Sequence, residues 1–171
     1  MSMIQKFMEG DHRRLDEIFG TVGPLAANDL SKAVHSFAEF RQGLQRHIVW
    51  EEEILFPIFD ERSGMEGQGP TAVMRQEHRI LKTYLERVHE GLSQLRPIKD
   101  LCKELIEVLL VHNKKEEKLL YPWIDRMVGH EEARQLIALM QAMPEERFQH
   151  CCGSEPHEGA SGRSVAGAQH G

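Results

Sequence analysis

His47-Ile48-Val49-Trp50-Glu51-Glu52-Glu53-Ile54-Leu55-Phe56-Pro57-Ile58-Phe59-Asp60 returns later in the chain as His112-Asn113-Lys114-Lys115-Glu116-Glu117-Lys118-Leu119-Leu120-Tyr121-Pro122-Trp123-Ile124-Asp125. Six of the fourteen positions are identical (His, Glu, Glu, Leu, Pro and Asp) at a constant offset of 65. A shorter echo precedes each copy: Asp11-His12-Arg13-Arg14-Leu15 matches Glu77-His78-Arg79-Ile80-Leu81 at an offset of 66. Around all four segments apolar residues recur at threes and fours, the period of a helix and not of a strand. The repeated unit is therefore a helical hairpin, with helix one echoed by helix three and helix two by helix four.

Punctuation sets the expected limits. The first helix spans about Ser2 to Thr21 and stops at Gly23-Pro24, with a short loop through Asn28 and Asp29. The second starts near Ser31 and carries Val34, Phe37, Phe40, Leu44, Ile48, Leu55 and Ile58 on one stripe, then dissolves into a Gly-rich stretch from Ser63 to Gly69. Pro70 suits the first turn of a third helix, which runs through Val73, Ile80, Leu81, Leu85 and Val88 to about Gly91. Pro97 opens the fourth, through Leu101, Leu105, Val108, Leu109, Leu119, Leu120 and Trp123 to Gly129. A shorter fifth helix, about Glu131 to Met143, ends at Pro144. Short connections favour antiparallel neighbours, so the expectation is an all-α protein, an up-down-up-down four-helix bundle over residues 1–144. Residues 145–171 read as a disordered tail, because Gly, Ser, Ala and His without apolar period cannot build a core.

Composition narrows the function. The 171 residues carry 21 basic and 27 acidic side chains, a net charge of −6, and no basic run that could track a phosphate backbone. A nucleic-acid partner is not expected. No stretch approaches ~18 uninterrupted apolar residues and the N-terminus has no leader-like pattern, so neither is a membrane partner, and the cytoplasm is the expected location. Three cysteines, two of them adjacent at Cys151 and Cys152, do not form a stapling framework and read as reduced thiols. Cys102 reads as a small buried apolar residue.

The chemistry lies in the repeat. Residues four apart on a helix differ by about 40° of rotation and about 6 Å of rise, so His47 projects with Glu51 and His112 with Glu116. Packing the hairpins with approximate two-fold symmetry brings His12 and His78 to the same level. A single helical histidine reads as well as a solvated or hydrogen-bonded core group. Six inward His and Glu side chains would each cost several kcal/mol if buried unpaired, and together they ask for a shared cation. Imidazole and carboxylate without thiolate suit iron or manganese, and less distinctively zinc, and a carboxylate can bridge two ions. The expected metal ligands are His12 and His47 on one ion and His78 and His112 on the other, with Glu51 and Glu116 bridging and coordination positions left open. His35 stands about 120° round the helix from His47 and about 18 Å along it, and His89 lies about 16 Å from His78, so neither joins the site. Pro57 and Pro122 free the carbonyls of Glu53 and Lys118 and either kink or end their helices there.

With its doubled His-x-x-x-Glu-Glu followed by Leu-Phe-Pro or Leu-Tyr-Pro, the sequence resembles the hemerythrin-like, or HHE cation-binding, domain over about residues 4 to 128. The resemblance implies a four-helix bundle with a non-haem di-iron centre, two oxo- or hydroxo-bridged irons, on His12, His47, Glu51, His78, His112 and Glu116. Oxygen-carrying hemerythrins have a further histidine where this chain has Met74, and their last carboxylate follows its histidine by five residues, where Glu116 follows at four. The ligand set is closer to proteins that repair iron centres after nitric oxide or oxidant damage. The implied function is to bind or react with O2, NO or peroxide, or to handle iron, under oxidative or nitrosative stress. A peroxide-decomposing enzyme and a metal- or oxygen-dependent sensor with a protein partner are the alternatives. His150, Cys151, Cys152, His157 and His170 add the idea of a tail that passes iron to a partner, although a tail without chemistry is the simpler reading.

Overall fold

A computed structural model describes residues 2–148. Helix α1 spans Met3–Asn28. Helix α2, Leu30–Trp50, runs through a widened π-helical turn, Glu51–Leu55, into α3, Phe56–Ser63. The second hairpin repeats this: α4 is Gly69–Ser93, and α5, Lys99–Lys115, passes through a π turn at Glu116–Leu120 into α6, Tyr121–Gln141. These rods form the antiparallel bundle. Gly129, with φ 71°, breaks α6, and the residues beyond it form the short fifth helix. A single 3-10 turn, Glu145–Arg147, follows, and Phe148 is buried. The tail residues His150, Cys151, Cys152, His157 and His170 lie outside the described residues.

One boundary differs from expectation. Helix α1 continues past Gly23-Pro24 to Asn28, because buried Val22 and the packing of Leu25 and Ala26 on the core outweigh the amide that Pro24 lacks. Only Asp29 separates it from α2, where its carboxylate accepts the Lys32 N–H at 3.1 Å. Val34, Val73, Ile80 and Leu119 are exposed, not core. Ile80 and Val73 stand about 80–100° off the Leu81–Leu85–Val88 line, and Leu119 falls within the π turn, where the regular period fails.

The core has two apolar layers. One, at the closed end of the hairpins, centres on Phe19 stacked on Phe40 at 4.3 Å with Leu44, Leu81, Leu85 and Leu105. The other holds Met8, Trp50, Phe56, Phe59 and Ile124. Buried Cys102 joins the first layer. Helices α1 and α2 meet closely at Gly43, where a Cβ would stand 2.6 Å from Leu15 Cδ2 and force that side chain to move.

The repeated aspartates lock the two hairpins together. Asp125 accepts the backbone N–H groups of Met3, Ile4 and Gln5 at 3.0, 3.0 and 2.9 Å and the Ser2 hydroxyl, and so caps α1. Asp60 accepts the Thr71 hydroxyl in the first turn of α4, with Arg75 at 3.7 Å. In each case an acid at the end of one hairpin meets the positive end of the first helix of the other.

Candidate metal centre

Between the two apolar layers lies one polar layer. His12, His47, Glu51, His78, His112 and Glu116 are all buried there, so the structure brings together all six residues singled out from sequence. His12 Nε2 is 3.0 Å from His47 Nε2 and 3.4 Å from Glu116 Oε2. On the other side His112 Nε2 is 3.1 Å from Glu116 Oε1, and His78 Nε2 is 3.2 Å from Glu51 Oε2. Glu51 Oε2 also reaches His47 Nε2 at 3.7 Å, so each glutamate touches histidines of both pairs. One donor set able to hold a cation is His12, His47 and Glu116, and the other is His78, His112, Glu51 and Glu116, with Glu116 common to both.

The outward nitrogens are all engaged. His47 Nδ1 lies 3.0 Å from Asp11 and His112 Nδ1 3.0 Å from Glu77, partners within one hairpin. His12 Nδ1 lies 2.8 Å from Glu117 and His78 Nδ1 2.8 Å from Glu52, partners across hairpins. A carboxylate on every Nδ1 holds a proton there and turns each Nε2 inward. Arg14 and Arg46 brace Asp11 at 2.9 and 3.1 Å, and Lys115 pairs with Glu77.

Burial works against a charged imidazole, yet Glu116, Glu117 and Glu51 push His12 up to about 9. His78 and His112 are raised in the same way against their own burial, by Glu116 and Glu51. Burial likewise opposes an ionised Glu116, and His112, His12 and His78 hold it well below the ordinary carboxylate range. Asp11, Glu52 and Glu77 are also lowered against their burial, chiefly by their histidines and by Lys115. The buried carboxylates thus call for positive charge at the centre, and protons on imidazole are one way to supply it. Glu51 Oε2, Glu116 Oε1 and His78 Nε2 are nevertheless buried without a hydrogen bond. Inward, unsatisfied oxygen and nitrogen atoms of this kind fit a metal cation, and the donor chemistry suits iron.

The site includes residues to which the sequence reading assigned no role. Asp11, Glu52, Glu77 and Glu117 sit in the repeated phrases beside the six, and their recurrence at matching positions was the available signal. Tyr121 is the other. A regular helix would place it about 140° round from Glu116. Pro122 has no N–H and its ring cannot lie over the Lys118 carbonyl, and the turn before it is widened, with the Tyr121 N–H reaching back five residues to the Glu116 carbonyl. That turn returns Tyr121 to the face of Glu116. Pro57 stands in the same relation to its own widened turn, where Phe56 N–H donates to the Glu51 carbonyl. Burial, Glu116 and Glu51 together keep the Tyr121 phenol far from ionising in the absence of a cation.

The family described as Hemerythrin HHE cation binding domain matches residues 3–124 and again residues 69–155, the second match opening at the second hairpin. An uncharacterised hemerythrin-like protein of Schizosaccharomyces pombe is 28% identical over 78% of this chain and 64% of its own length. The iron-sulfur cluster repair protein YtfE of Edwardsiella ictaluri is 33% identical over 48% of this chain and 42% of its own. A DNA nickase of Nostoc is 25% identical over 77% and 36%. The chain thus spans under two thirds of the length of each of these relatives. No solved structure matches it. Among the described residues no helix is long and apolar enough to cross a membrane.

Proposed function

Because this chain belongs to the hemerythrin HHE cation-binding family, we propose that its buried layer holds two irons and serves in the capture of a small oxidant or nitric oxide, or in iron handling, during redox stress. His12 and His47 would hold one iron, His78 and His112 the other, and Glu51 and Glu116 would span the pair. The observation that carries this reading is the set of buried, inward atoms without hydrogen bonds, Glu51 Oε2, Glu116 Oε1 and His78 Nε2, behind which every histidine is backed by a carboxylate. When bound, such a pair supplies one-electron redox chemistry and open positions for a diatomic ligand or peroxide. The chain's own part is to fix the imidazole tautomers through Asp11, Glu52, Glu77 and Glu117, to keep Nε2 free of protons once a cation is present, and to shield His78 from water with the stacked ring of Phe56. Likeness to the YtfE repair proteins favours iron-centre repair among the stress roles. The cytoplasm suits that role.

The test is iron per chain with the visible spectrum of purified protein before and after reductant, then air, NO and peroxide. About two irons per chain, with a charge-transfer spectrum that responds to at least one of the three, supports the reading. One zinc, no metal, or an iron spectrum indifferent to all three overturns it.

A further inference from the structure

Tyr121 is one of only two tyrosines in the chain and is fully buried. Its partner in the repeat is Phe56, which stacks on His78 with ring centroids 5.7 Å apart and fills its half of the layer without a hydroxyl. Packing therefore gives no reason for the Tyr121 oxygen, and a hydroxyl buried among carboxylates carries a desolvation cost that needs a return.

The hydroxyl has four neighbours: Glu51 Oε1 at 2.7 Å, Glu116 Oε2 at 3.1 Å, His47 Nε2 at 3.2 Å and His12 Nε2 at 3.5 Å. A phenol has one proton to give, so it satisfies one of the two carboxylate oxygens and leaves its own oxygen facing the other. The spacing explains the crowd. Bonds of about 2.1 Å meeting at right angles place adjacent donors of a six-coordinate metal about 3 Å apart. His12 Nε2 and His47 Nε2, at 3.0 Å, and His12 Nε2 and Glu116 Oε2, at 3.4 Å, are set at such distances, and the Tyr121 oxygen is set likewise from all four.

Resting on the two-metal reading, we infer that Tyr121 is a fifth protein donor to the metal on the His12/His47 side. The two positions are then unequal: His12, His47, Glu51, Glu116 and Tyr121 fill one, while His78, His112, Glu51 and Glu116 leave more room on the other. An exogenous ligand enters on the His78/His112 side. On binding, the phenol O–H bond breaks as the metal–oxygen bond forms, the proton leaves to solvent, and no electron moves.

Full-length protein loaded with ferric iron is examined by visible absorption and resonance Raman, with iron per chain measured on the same samples. The expected result is a phenolate-to-iron band with tyrosine ring modes, present in wild type and in Tyr84→Phe and absent from Tyr121→Phe at unchanged iron content. Should Tyr121→Phe not fold, wild type and Tyr84→Phe grown on ring-deuterated tyrosine decide, since only a bound tyrosine shifts those modes. Two irons in wild type without phenolate modes, or modes that survive in Tyr121→Phe, overturn the inference and leave the two-metal reading standing. Wild type that takes up no iron overturns both.

Discussion

His12 Nδ1, on the first helix of the first hairpin, lies 2.8 Å from Oε1 of Glu117, in the last long rod of the second. His78 and Glu52 repeat the relationship with the hairpins exchanged, again at 2.8 Å. Each hairpin therefore supplies the carboxylate that orients a histidine of the other, and the site is complete only when the two halves dock.

Replacing either of these carboxylates by its amide is expected to weaken metal binding without unfolding the chain. Glu117→Gln and Glu52→Gln should each lower iron affinity roughly 10–100-fold, because the imidazole loses the partner that fixes its tautomer and raises its basicity. Chelator competition measures the affinity and circular dichroism the helix content. Near-equal losses are expected from the local two-fold symmetry, and unchanged affinity in both would mean that these carboxylates do not act on the site.

Metal-free protein should lose stability as pH rises. The folded His12 stands at about 9 against an ordinary 6.5, so its contribution is full below 6.5 and disappears as pH passes through 9. The raised His78 and His112 act in the same direction. A shift of that size is worth on the order of 3 kcal/mol. Thermal melts of metal-free protein from pH 6 to 10 should therefore show a falling Tm, and metal uptake should release protons and tighten over the same interval. A flat Tm would show that imidazolium does not hold the empty layer together.

Acid should act through the opposite groups. Glu116, Glu52 and Glu77 are lowered in the folded chain, so the stability they provide is present above the ordinary carboxylate range and is lost as pH falls below it. Glu116→Gln in the metal-free protein should flatten the acid side of the Tm profile, and an unaltered acid limb would assign it to other carboxylates.

Asp125→Ala should destabilise the fold by about 2 kcal/mol, since it strips the cap from three backbone N–H groups at once, at the upper end of single-cap losses. Urea midpoints provide the measurement. A loss under a few tenths of a kcal/mol would show that water caps α1 equally well.

Two glycines should respond to the same substitution with opposite signs. At Gly20 nothing lies within 4 Å of an added Cβ, so Gly20→Ala should gain about 0.5–1 kcal/mol of helix propensity. At Gly43 the Cβ would meet Leu15 Cδ2 at 2.6 Å, and overpacking costs of about 1–3 kcal/mol exceed that gain. Denaturant midpoints for the pair decide it, and stabilisation at both would mean that α1 can shift off α2 freely.

From the sequence alone came the all-α bundle, its duplicated hairpin and the six inward His and Glu residues, because a 3.6-residue period and an i,i+4 pair are properties of one helix and need no knowledge of its neighbours. Which acid backs which histidine was decided only by tertiary packing. Asp11 and Glu77 serve their own hairpin, while Glu52 and Glu117 cross to the other, and that choice depends on how two rods are set against each other. Tyr121 was hidden for a local reason, since the widened turn ahead of Pro122 adds a residue to the register and defeats the ideal period by which side chains are assigned to faces. The end of α1 was hidden for a global one: Pro24 marks a break, and burial of Val22 and packing of Leu25 and Ala26 carry the helix past it. Periodicity records what each helix offers the core, and only the docked bundle determines what each offered group meets.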